Sequence, residues 1–229
     1  MSTAVIIPAL NEEGAIAAVV RDSLIQDINW VIVADNGSSD QTAEIARRAG
    51  AQVVDAPRLG YGYACAAGTA RAIALGATVL VYIDGDYSSV PDEMVRLLDP
   101  LRENKADLVL GSRVLGTIGE GAMPPHQRFG NDLSSWLISK LYGVEVTDLG
   151  PYRAIRTELI QELGMREMTF GWPTEMIVKA VRNGARIVEV PVSWRRRRAG
   201  QSKVSGNLRG SLLAAYYILG VTIRYAVFQ

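Results

Sequence analysis

The sequence contains little of the chemistry on which many enzymes depend. Its 229 residues include one histidine, His126, and one cysteine, Cys65. A single histidine argues against a histidine-rich metal site and against a serine–histidine triad. A single cysteine excludes an internal disulfide and fits a reducing compartment, so we expect a cytoplasmic protein. The sequence also has neither a P-loop nor a G-x-S-x-G segment, which leaves carboxylates and cationic side chains as candidates for chemistry.

The chain has no excess of either charge. Lys plus Arg and Asp plus Glu each total 24, so the net charge predicts no nucleic-acid partner. The cations are unevenly distributed, however, because a basic segment without any acid lies between Trp194 and Arg209. Such a segment favours an anionic partner, either phosphate groups or a lipid surface. Its cations are Arg195, Arg196, Arg197, Arg198, Lys203 and Arg209.

No apolar run is long enough to cross a membrane. The N-terminal segment has neither the basic start nor the apolar length of a signal peptide. Gly210 to Ile223 carries no charge, but as a helix it would span only about 21 Å, against roughly 30 Å for a hydrocarbon core. We therefore expect a packed or interfacial helix there. Any membrane contact would then be peripheral, at the inner face of the membrane.

The residue pattern predicts an α/β fold. Apolar residues make up 48% of the chain and charged residues 21%, which is enough for a full core. Several runs in the first half, such as VLVYI, are apolar on consecutive residues, which is typical of a mostly parallel sheet with helices on both faces. The predicted strands are Ala4–Ile7, Trp30–Asp35, Gln52–Asp55, Thr78–Ile83 and Asp107–Gly111. The predicted helices are Glu12–Ile25, Asp40–Ala49, Tyr63–Leu75 and Asp92–Glu103.

The second half has a different pattern. Leu115 to Gly130 is rich in glycine and proline, which predicts a mobile loop. Helices are predicted at Asn131–Tyr142 and near Pro173–Asn183, and a strand at Arg186–Val192. The basic segment and a C-terminal helix follow.

Two acids close the apolar run VLVYI. In open α/β sheets, ligands bind beyond the carboxyl ends of the strands. Asp84 and Asp86, separated by the flexible Gly85, could there hold a hard divalent cation that binds a diphosphate. The simpler alternative is an Asp-Gly turn with solvated acids. We favour the metal site.

Two other strand ends could contact a nucleoside. Asp35 could accept the ring N–H of a pyrimidine or guanine base, or it could belong to a turn before a helix capped by Asp40. The segment PALNEE could line the pocket for the base, and its Glu12 could accept hydrogen bonds from ribose hydroxyls. It could equally be a helix start that is capped by Asn11 and has acids in its first turn.

Glycines and arginines provide further candidates. Gly60-Tyr61-Gly62 precedes a predicted helix and suits the approach of a phosphate or a sugar. Cys65 occupies the third glycine position of G-x-G-x-x-G, so a dinucleotide site is weakly supported. Arg153, after the turn that starts at Asp148, and the segment Arg198–Lys203 could donate hydrogen bonds to an anion. The four consecutive arginines by themselves are better interpreted as a solvated basic edge.

Eight segments, taken in order, resemble glycosyltransferase family 2, in its dolichyl-phosphate mannose or glucose synthase-like branch. They run from residue 5 to about residue 206 and read VIIPALNEE, VIVADNGSSDQT, LGYGYA, VYIDGDYS, LVLGSR, TDLGPYRAI, FGWPTEM and VPVSWRRRRAGQSKVSG. Each segment is modest by itself, and their order is the strong signal. The resemblance implies a GT-A fold, a nucleotide-diphosphate sugar donor, and Mg²⁺ or Mn²⁺ as cofactor.

The resemblance also implies roles for individual residues. The family often has a second acid where this chain has Asn36, which leaves the identity of the base open. The metal would be held by Asp84 and Asp86, with Ser88 as a weaker candidate ligand. The candidate catalytic residues are Asp86, Arg153 and Glu175. The implied nucleotide-sugar-binding residues are Pro8, Leu10, Glu12, Asp35, Gly62, Asp84, Arg113, Ser202 and Lys203.

We therefore predict an inverting glycosyltransferase that uses a phosphate acceptor, in particular a polyprenyl phosphate. Such an acceptor is already an anionic nucleophile and needs positioning by cations more than a general base. We expect one domain over residues 1–229, with a nucleotide-sugar-binding half (1–113) and an acceptor-side half (114–229). Two alternatives stay open: a soluble glycosyltransferase acting on a hydroxyl acceptor, with Glu175 or Asp148 as base, and a non-catalytic nucleotide-sugar-binding protein.

Overall fold

Strands and helices alternate through most of the chain. The computed structural model describes residues 1–200 and 208–227. For residues 208–212 it describes the backbone but not the side chains. The strands are β1 (Thr3–Ala9), β2 (Trp30–Asp35), β3 (Gln52–Asp55), β4 (Val79–Tyr82), β5 (Leu108–Ile118), β6 (Arg153–Arg156) and β7 (Ile187–Trp194). The α-helices are α1 (Ile16–Leu24), α2 (Thr42–Arg48), α3 (Tyr61–Ala74), α4 (Met94–Arg102), α5 (Pro125–Tyr142), α6 (Thr157–Leu163), α7 (Trp172–Arg182) and α8 (Leu208–Val227). A short 3₁₀ helix, Pro91–Glu93, precedes α4.

The strands form one seven-stranded sheet in the order β3-β2-β1-β4-β6-β5-β7. Strand β6 runs antiparallel to both of its neighbours, β4 and β5. The other strand pairs are parallel. This arrangement confirms the predicted α/β class with a mostly parallel central sheet and flanking helices.

Both faces of the sheet are covered, as the consecutive apolar residues indicate. Along β1, Val5 and Ile7 belong to a core cluster that includes residues of α1 and α4. The alternate residues Ala4 and Ile6 belong to a second cluster, which includes residues of α3, α6 and α7. Because successive side chains of a strand point to opposite faces, a strand buried on both faces needs apolar residues at every position.

The prediction of a mobile loop over Leu115–Gly130 was wrong for most of that segment. Strand β5 continues to Ile118, which pairs with Trp194 of β7 after an irregularity in the register. A Cβ at Gly116 would lie 2.1 Å from the carbonyl oxygen of Val192, so this glycine permits a close passage of two backbones. Helix α5 then begins at Pro125, where proline is tolerated because the first helical N–H has no partner within the helix.

The first predicted helix cap was also wrong. Helix α1 begins at Ile16, and Asn11 lies before it with φ 54°. The Asn11 side-chain oxygen instead accepts the N–H of Ser39 at 2.8 Å, which ties the loop after β1 to the loop after β2. Asp40 does accept the N–H of Thr42, at 2.9 Å, at the start of α2.

Within residues 1–200 and 208–227, no helix combines the length and apolar character needed to cross a bilayer.

Candidate functional site

The carboxyl ends of three adjacent strands bring the predicted acids to one edge of the sheet. Ala9 of β1 pairs with Asp35 of β2, and Ile6 of β1 pairs with Tyr82 of β4. Because these strands are parallel neighbours, the loops that follow them leave the sheet side by side. These loops and strand ends carry Glu12, Asp35 and Asp84. The structure therefore brings acids that lie far apart in the sequence to one edge of the sheet.

Asp84 lies in a poorly solvated position at this edge. The hydroxyl of Tyr61, at the start of α3, donates to its Oδ1 over 3.3 Å. Burial, and then the negative charge of Asp86, raise the pKa of Asp84 to about 7. Glu12 raises this pKa further and Arg113 lowers it, so all four charges belong to one electrostatic environment.

Asp86 is oriented by Ser88. Its Oδ1 accepts the N–H of Ser88 at 2.9 Å and the Ser88 hydroxyl at 2.5 Å. Tyr87, between them, has φ 65°, a conformation that a bulky residue rarely adopts outside a constrained turn. Ser88 is 1% exposed, so in this arrangement it fixes the carboxylate. Its role as a metal ligand stays a prediction.

Glu12 is held between the start of α2 and the basic segment. Its backbone N–H donates to Thr42 Oγ1 at 2.8 Å. Both oxygens of its carboxylate accept hydrogen bonds from the Arg197 guanidinium, at 2.8 and 2.7 Å. Arg197 also comes within 3.6 Å of Asp86. The basic segment therefore reaches the acids at the strand ends, which the sequence analysis did not predict.

Asp35 and Asn36 have different surroundings. Among the described residues, the buried Oδ1 of Asp35 has no hydrogen-bond partner, while Oδ2 accepts only the N–H of Ser38 at 3.4 Å. The Asn36 amide donates to the carbonyls of Ala56 and Arg58, at 2.8 and 2.7 Å, and accepts from Gly60 N–H at 2.8 Å. Asn36 thus braces the loop before α3, a task that an acid could not perform because it has no donors.

The apolar and glycine candidates divide into two groups. Pro8 is buried in β1, and Leu10 is half-buried where that strand ends, beside the acids. Gly62 is not open to a ligand, contrary to the prediction. Its N–H donates to the Met168 carbonyl at 3.1 Å, and a Cβ there would lie 2.5 Å from the Met168 Cα. Gly62 therefore serves the close packing of α3 against the segment before α7.

Arg113 forms a buried ion pair behind the site. Its Nε and Nη2 donate to Asp148 at 2.7 and 2.5 Å, and its guanidinium lies 4.8 Å from the ring centroid of Trp194. Only 6% of Arg113 is exposed. Two parallel donors to one carboxylate give this pair a fixed geometry. The positive charge of Arg113 lowers the pKa of Asp84. The contact of Arg113 with a phosphate stays a prediction.

The structure contradicts the prediction that Arg153 is a catalytic residue open to an anionic ligand. Arg153 is 1% exposed, and its guanidinium donates to the carbonyls of Pro173, at 2.8 Å, and of Gly150. Residue 153 pairs with Tyr82 in the middle of the sheet, so its side chain enters the core shared with α7. Burial is the largest effect on its pKa and lowers it. Arg153 supports the fold, since the hydrogen bonds that the structure describes for its guanidinium go to groups of the core.

Glu175 does not have the surroundings of a general base either. It is fully buried and accepts hydrogen bonds from the Tyr225 hydroxyl at 2.6 Å and from the backbone N–H groups of Arg166 and Glu167. Burial raises its pKa, but these hydrogen bonds and Lys179 outweigh burial, so the pKa lies below its usual value. Glu175 joins α7 to α8. Ser202 and Lys203 lie outside the described residues.

Comparison with known proteins decides the family. The model of "Glycosyl transferase family 2" matches residues 4–164. The chain belongs to glycosyl transferase family 2. An uncharacterized glycosyltransferase of Mycobacterium tuberculosis is 38% identical over 92% of this chain and 93% of that protein. The dolichyl-phosphate hexose transferase of Haloferax volcanii is 35% identical over 88% of this chain and 86% of its own.

A solved structure shares the fold of this glycosyltransferase. Glucosyl-3-phosphoglycerate synthase of Mycobacterium tuberculosis, in complex with Mn²⁺, uridine diphosphate and phosphoglyceric acid, has a TM-score of 0.79 and 22% identity. The match covers 100% of this chain and 79% of that chain. It confirms the predicted GT-A fold class.

The pKa of Asp84 predicts how metal binding by this glycosyltransferase depends on pH. A carboxyl group with a pKa of about 7 is mostly protonated at pH 6, and a proton competes with a cation for its oxygens. The apparent affinity for Mn²⁺ alone should therefore rise as the pH rises through 7, by about tenfold between pH 6 and pH 8. Isothermal titration calorimetry at constant ionic strength measures this. Asp84→Asn should bind weakly at both pH values. An equal wild-type affinity at both would contradict the prediction.

Proposed function

We propose that this glycosyltransferase moves one sugar from a nucleotide-diphosphate sugar to a polyprenyl phosphate, with inversion at the anomeric carbon. The observation that carries the proposal is the convergence of Glu12, Asp35, Asp84 and Asp86 at the carboxyl ends of β1, β2 and β4. In open α/β sheets this edge is where ligands bind.

Asp84 and Asp86 are suited to a divalent cation. Carboxylate oxygens are the ligands that Mg²⁺ and Mn²⁺ prefer. In the part of the chain that the structure describes, no group of three or more His, Cys, Asp or Glu residues could hold a metal by itself. A cation at Asp84 and Asp86 therefore needs further ligands, and a diphosphate can supply them. When bound, it would neutralise the charge that develops on the leaving diphosphate.

Asp35 is suited to a nucleobase. Its Oδ1 is buried, and within the described ranges it has no hydrogen-bond partner, which costs free energy unless a ligand supplies a donor. A ring N–H of uracil or guanine is such a donor. The neighbouring Asn36 is occupied by backbone groups of the loop before α3, so base recognition at this strand end depends on Asp35.

The proposed acceptor is inferred from the exposed cations of the basic segment and from the surroundings of the candidate general bases. Glu175 and Asp148, the bases that a hydroxyl acceptor would require, are buried and hydrogen-bonded to other groups. Arg195, Arg196 and Arg198 are exposed on the basic segment, and the Arg198 backbone N–H donates to the Asp86 carbonyl at 2.9 Å. These cations can hold an acceptor phosphate next to Asp84 and Asp86. One phosphate oxygen then bonds to the anomeric carbon as the bond from that carbon to the diphosphate breaks, which inverts the carbon.

Two apolar helix stripes favour a lipid acceptor. Phe129, Leu133 and Trp136 of α5 are 69%, 40% and 57% exposed and recur at helical spacing. Helix α8 packs against α5 and has a stripe of the same kind. Its exposed large apolar residues are Leu213, Tyr216, Ile223 and Val227. An interfacial helix presents such a stripe to the membrane, where a polyprenyl phosphate resides.

Substituting the aromatic residues of the α5 stripe should weaken binding to vesicles. The double variant Phe129→Ser/Trp136→Ser removes two exposed rings, whose burial in lipid stabilises the bound state by an amount that corresponds to at least about tenfold in affinity. Co-sedimentation with anionic phospholipid vesicles measures this. The control is Ile25→Ser/Val95→Ser, which removes residues that are 77% and 46% exposed on the opposite face of the sheet. Equal losses in both variants would argue against a specific membrane surface.

A product assay tests the proposed function directly. The protein is incubated with a panel of nucleotide sugars and Mn²⁺, with and without a short polyprenyl phosphate, and the products are identified by mass spectrometry. We expect a glycosyl polyprenyl phosphate from one donor class. Parallel reactions contain the matching polyprenol, which lacks the phosphate, or phosphoglyceric acid, which lacks the lipid. Transfer to the polyprenol, or only to phosphoglyceric acid, would contradict the proposed acceptor.

A further inference from the structure

Arg197 has an unusual position for a residue of a basic surface segment. Its Nη2 donates to both Glu12 oxygens, and its Nη1 lies 3.6 Å from Asp86 Oδ2. Only 18% of its side chain is exposed, and its Nε donates to the Ala199 carbonyl at 2.7 Å. The guanidinium thus lies between a carboxylate proposed for the nucleoside and a carboxylate proposed for the metal.

The backbone around Arg197 is fixed to the same loop. The N–H of Arg195 donates to the Ser88 carbonyl at 2.8 Å, and the N–H of Arg198 donates to the Asp86 carbonyl at 2.9 Å. Ser89 and Trp194 also form a β-bridge. Arg197 is therefore held against the acids by both of its flanks, while the other arginines of the run are exposed.

The charges at this edge explain why a cation is needed there. Glu12 and Asp86 both contact the Arg197 guanidinium, and Asp84 lies two residues before Asp86, so three carboxylates share this edge. A partly buried group of acids is stabilised by a nearby cation, and Arg197 supplies one positive charge. A divalent cation at Asp86 would supply two. Two cations next to one carboxylate repel each other, so both cannot pair with Asp86 in full.

We propose that Arg197 is an internal counter-ion of the donor site, which competes with the divalent cation for Asp86. When the metal binds, the guanidinium turns away from Asp86, while the backbone of the segment Arg195–Arg198 stays on the loop after β4. The presence of Arg197 therefore weakens binding of the metal alone. This inference depends on the metal role in the proposed function. It adds a residue that opposes binding of the metal in the absence of the nucleotide.

The test measures Mn²⁺ binding without any nucleotide, from the electron paramagnetic resonance signal of free Mn²⁺. Arg197→Gln removes the competing charge and should raise the affinity about tenfold, within the range of typical coupling between two ligands. Arg197→Lys keeps the positive charge beside Asp86, so it should bind Mn²⁺ more weakly than Arg197→Gln does. The control is Arg47→Gln, which removes the same charge from an exposed residue of α2 and should leave the affinity within about twofold of wild type, because exposed charges are largely screened.

Three results would overturn the inference while leaving the proposed function intact. The first is an unchanged Mn²⁺ affinity in Arg197→Gln, even with a lower melting temperature, which would make Arg197 a structural brace. The second is an equal increase in Arg47→Gln. The third is an affinity in Arg197→Lys as high as that in Arg197→Gln, which would show that the positive charge is not what competes with the metal. If neither wild type nor any variant binds Mn²⁺, with or without uridine diphosphate, the metal role in the proposed function fails as well.

Discussion

Asp86→Asn is expected to lose nearly all transfer activity while the protein keeps its fold. Asn keeps the shape of the side chain and one oxygen that can accept from Ser88, so the turn at Tyr87 should persist. It removes the negative charge through which this position would bind a divalent cation. Metal ions contribute several kcal/mol of transition-state stabilisation, so we expect a loss on the order of a thousandfold in kcat/KM.

The measurement compares product formation and thermal unfolding of the variant with those of wild type. Asp99→Asn is the matched control, because Asp99 is an exposed acid in the last turn of α4 and pairs with Arg102. Excess chelator should reduce wild-type activity to the level of Asp86→Asn. Full activity of the wild type in chelator would remove the metal from the mechanism, whatever the variant does.

Asp148→Ala is expected to destabilise the protein more than any surface substitution. Asp148 is fully buried and accepts two hydrogen bonds from the Arg113 side chain, as well as one from the Arg113 backbone N–H. Its removal leaves a guanidinium that is 6% exposed without its carboxylate. Breaking a buried pair in this way typically costs about 3–5 kcal/mol of the free energy of unfolding.

For a domain of this size, that cost corresponds to a fall in melting temperature of roughly 6–20 °C. Asp27→Ala is the control, because Asp27 is fully exposed and its 3.5 Å contact with Arg102 should contribute almost nothing. Differential scanning calorimetry measures both variants. A shift of less than about 2 °C in Asp148→Ala would show that Arg113 finds other partners or water when its carboxylate is removed.

The local pattern predicted the elements of the first half well. Each predicted strand and helix between residues 1 and 113 is present, although α1 begins at Ile16 instead of Glu12. Helix starts were less predictable, because Asn11 forms its hydrogen bond with Ser39, which lies in another loop. A cap prediction considers only the residues that follow in the chain, whereas the partner here is brought close by β1 and β2.

Glycine was interpreted wrongly at Gly116 and Gly62, for one physical reason. A glycine can provide a flexible backbone, or it can provide space where another backbone passes closely. At Gly116 the neighbour is Val192, and at Gly62 it is Met168. Both contacts join segments far apart in the sequence, so composition alone could not distinguish a flexible loop from close packing.

The sequence by itself determined that acids would meet at one edge of a parallel sheet. Strand periodicity identifies β1, β2 and β4, and the carboxyl ends of parallel strands lie at the same edge, so Glu12, Asp35, Asp84 and Asp86 follow without knowledge of any side-chain contact. This reasoning needs only local patterns and one geometrical rule.

Only the tertiary structure decided which arginines serve the site and which serve the core. Strand β6 enters the sheet antiparallel between β4 and β5, which directs Arg153 into the core against α7. The basic segment returns along the loop after β4, which brings Arg197 to Glu12 and Asp86. The direction of a charged side chain depends on strand order and on long-range pairing. A run of arginines in a sequence carries the charge but does not specify where each guanidinium points.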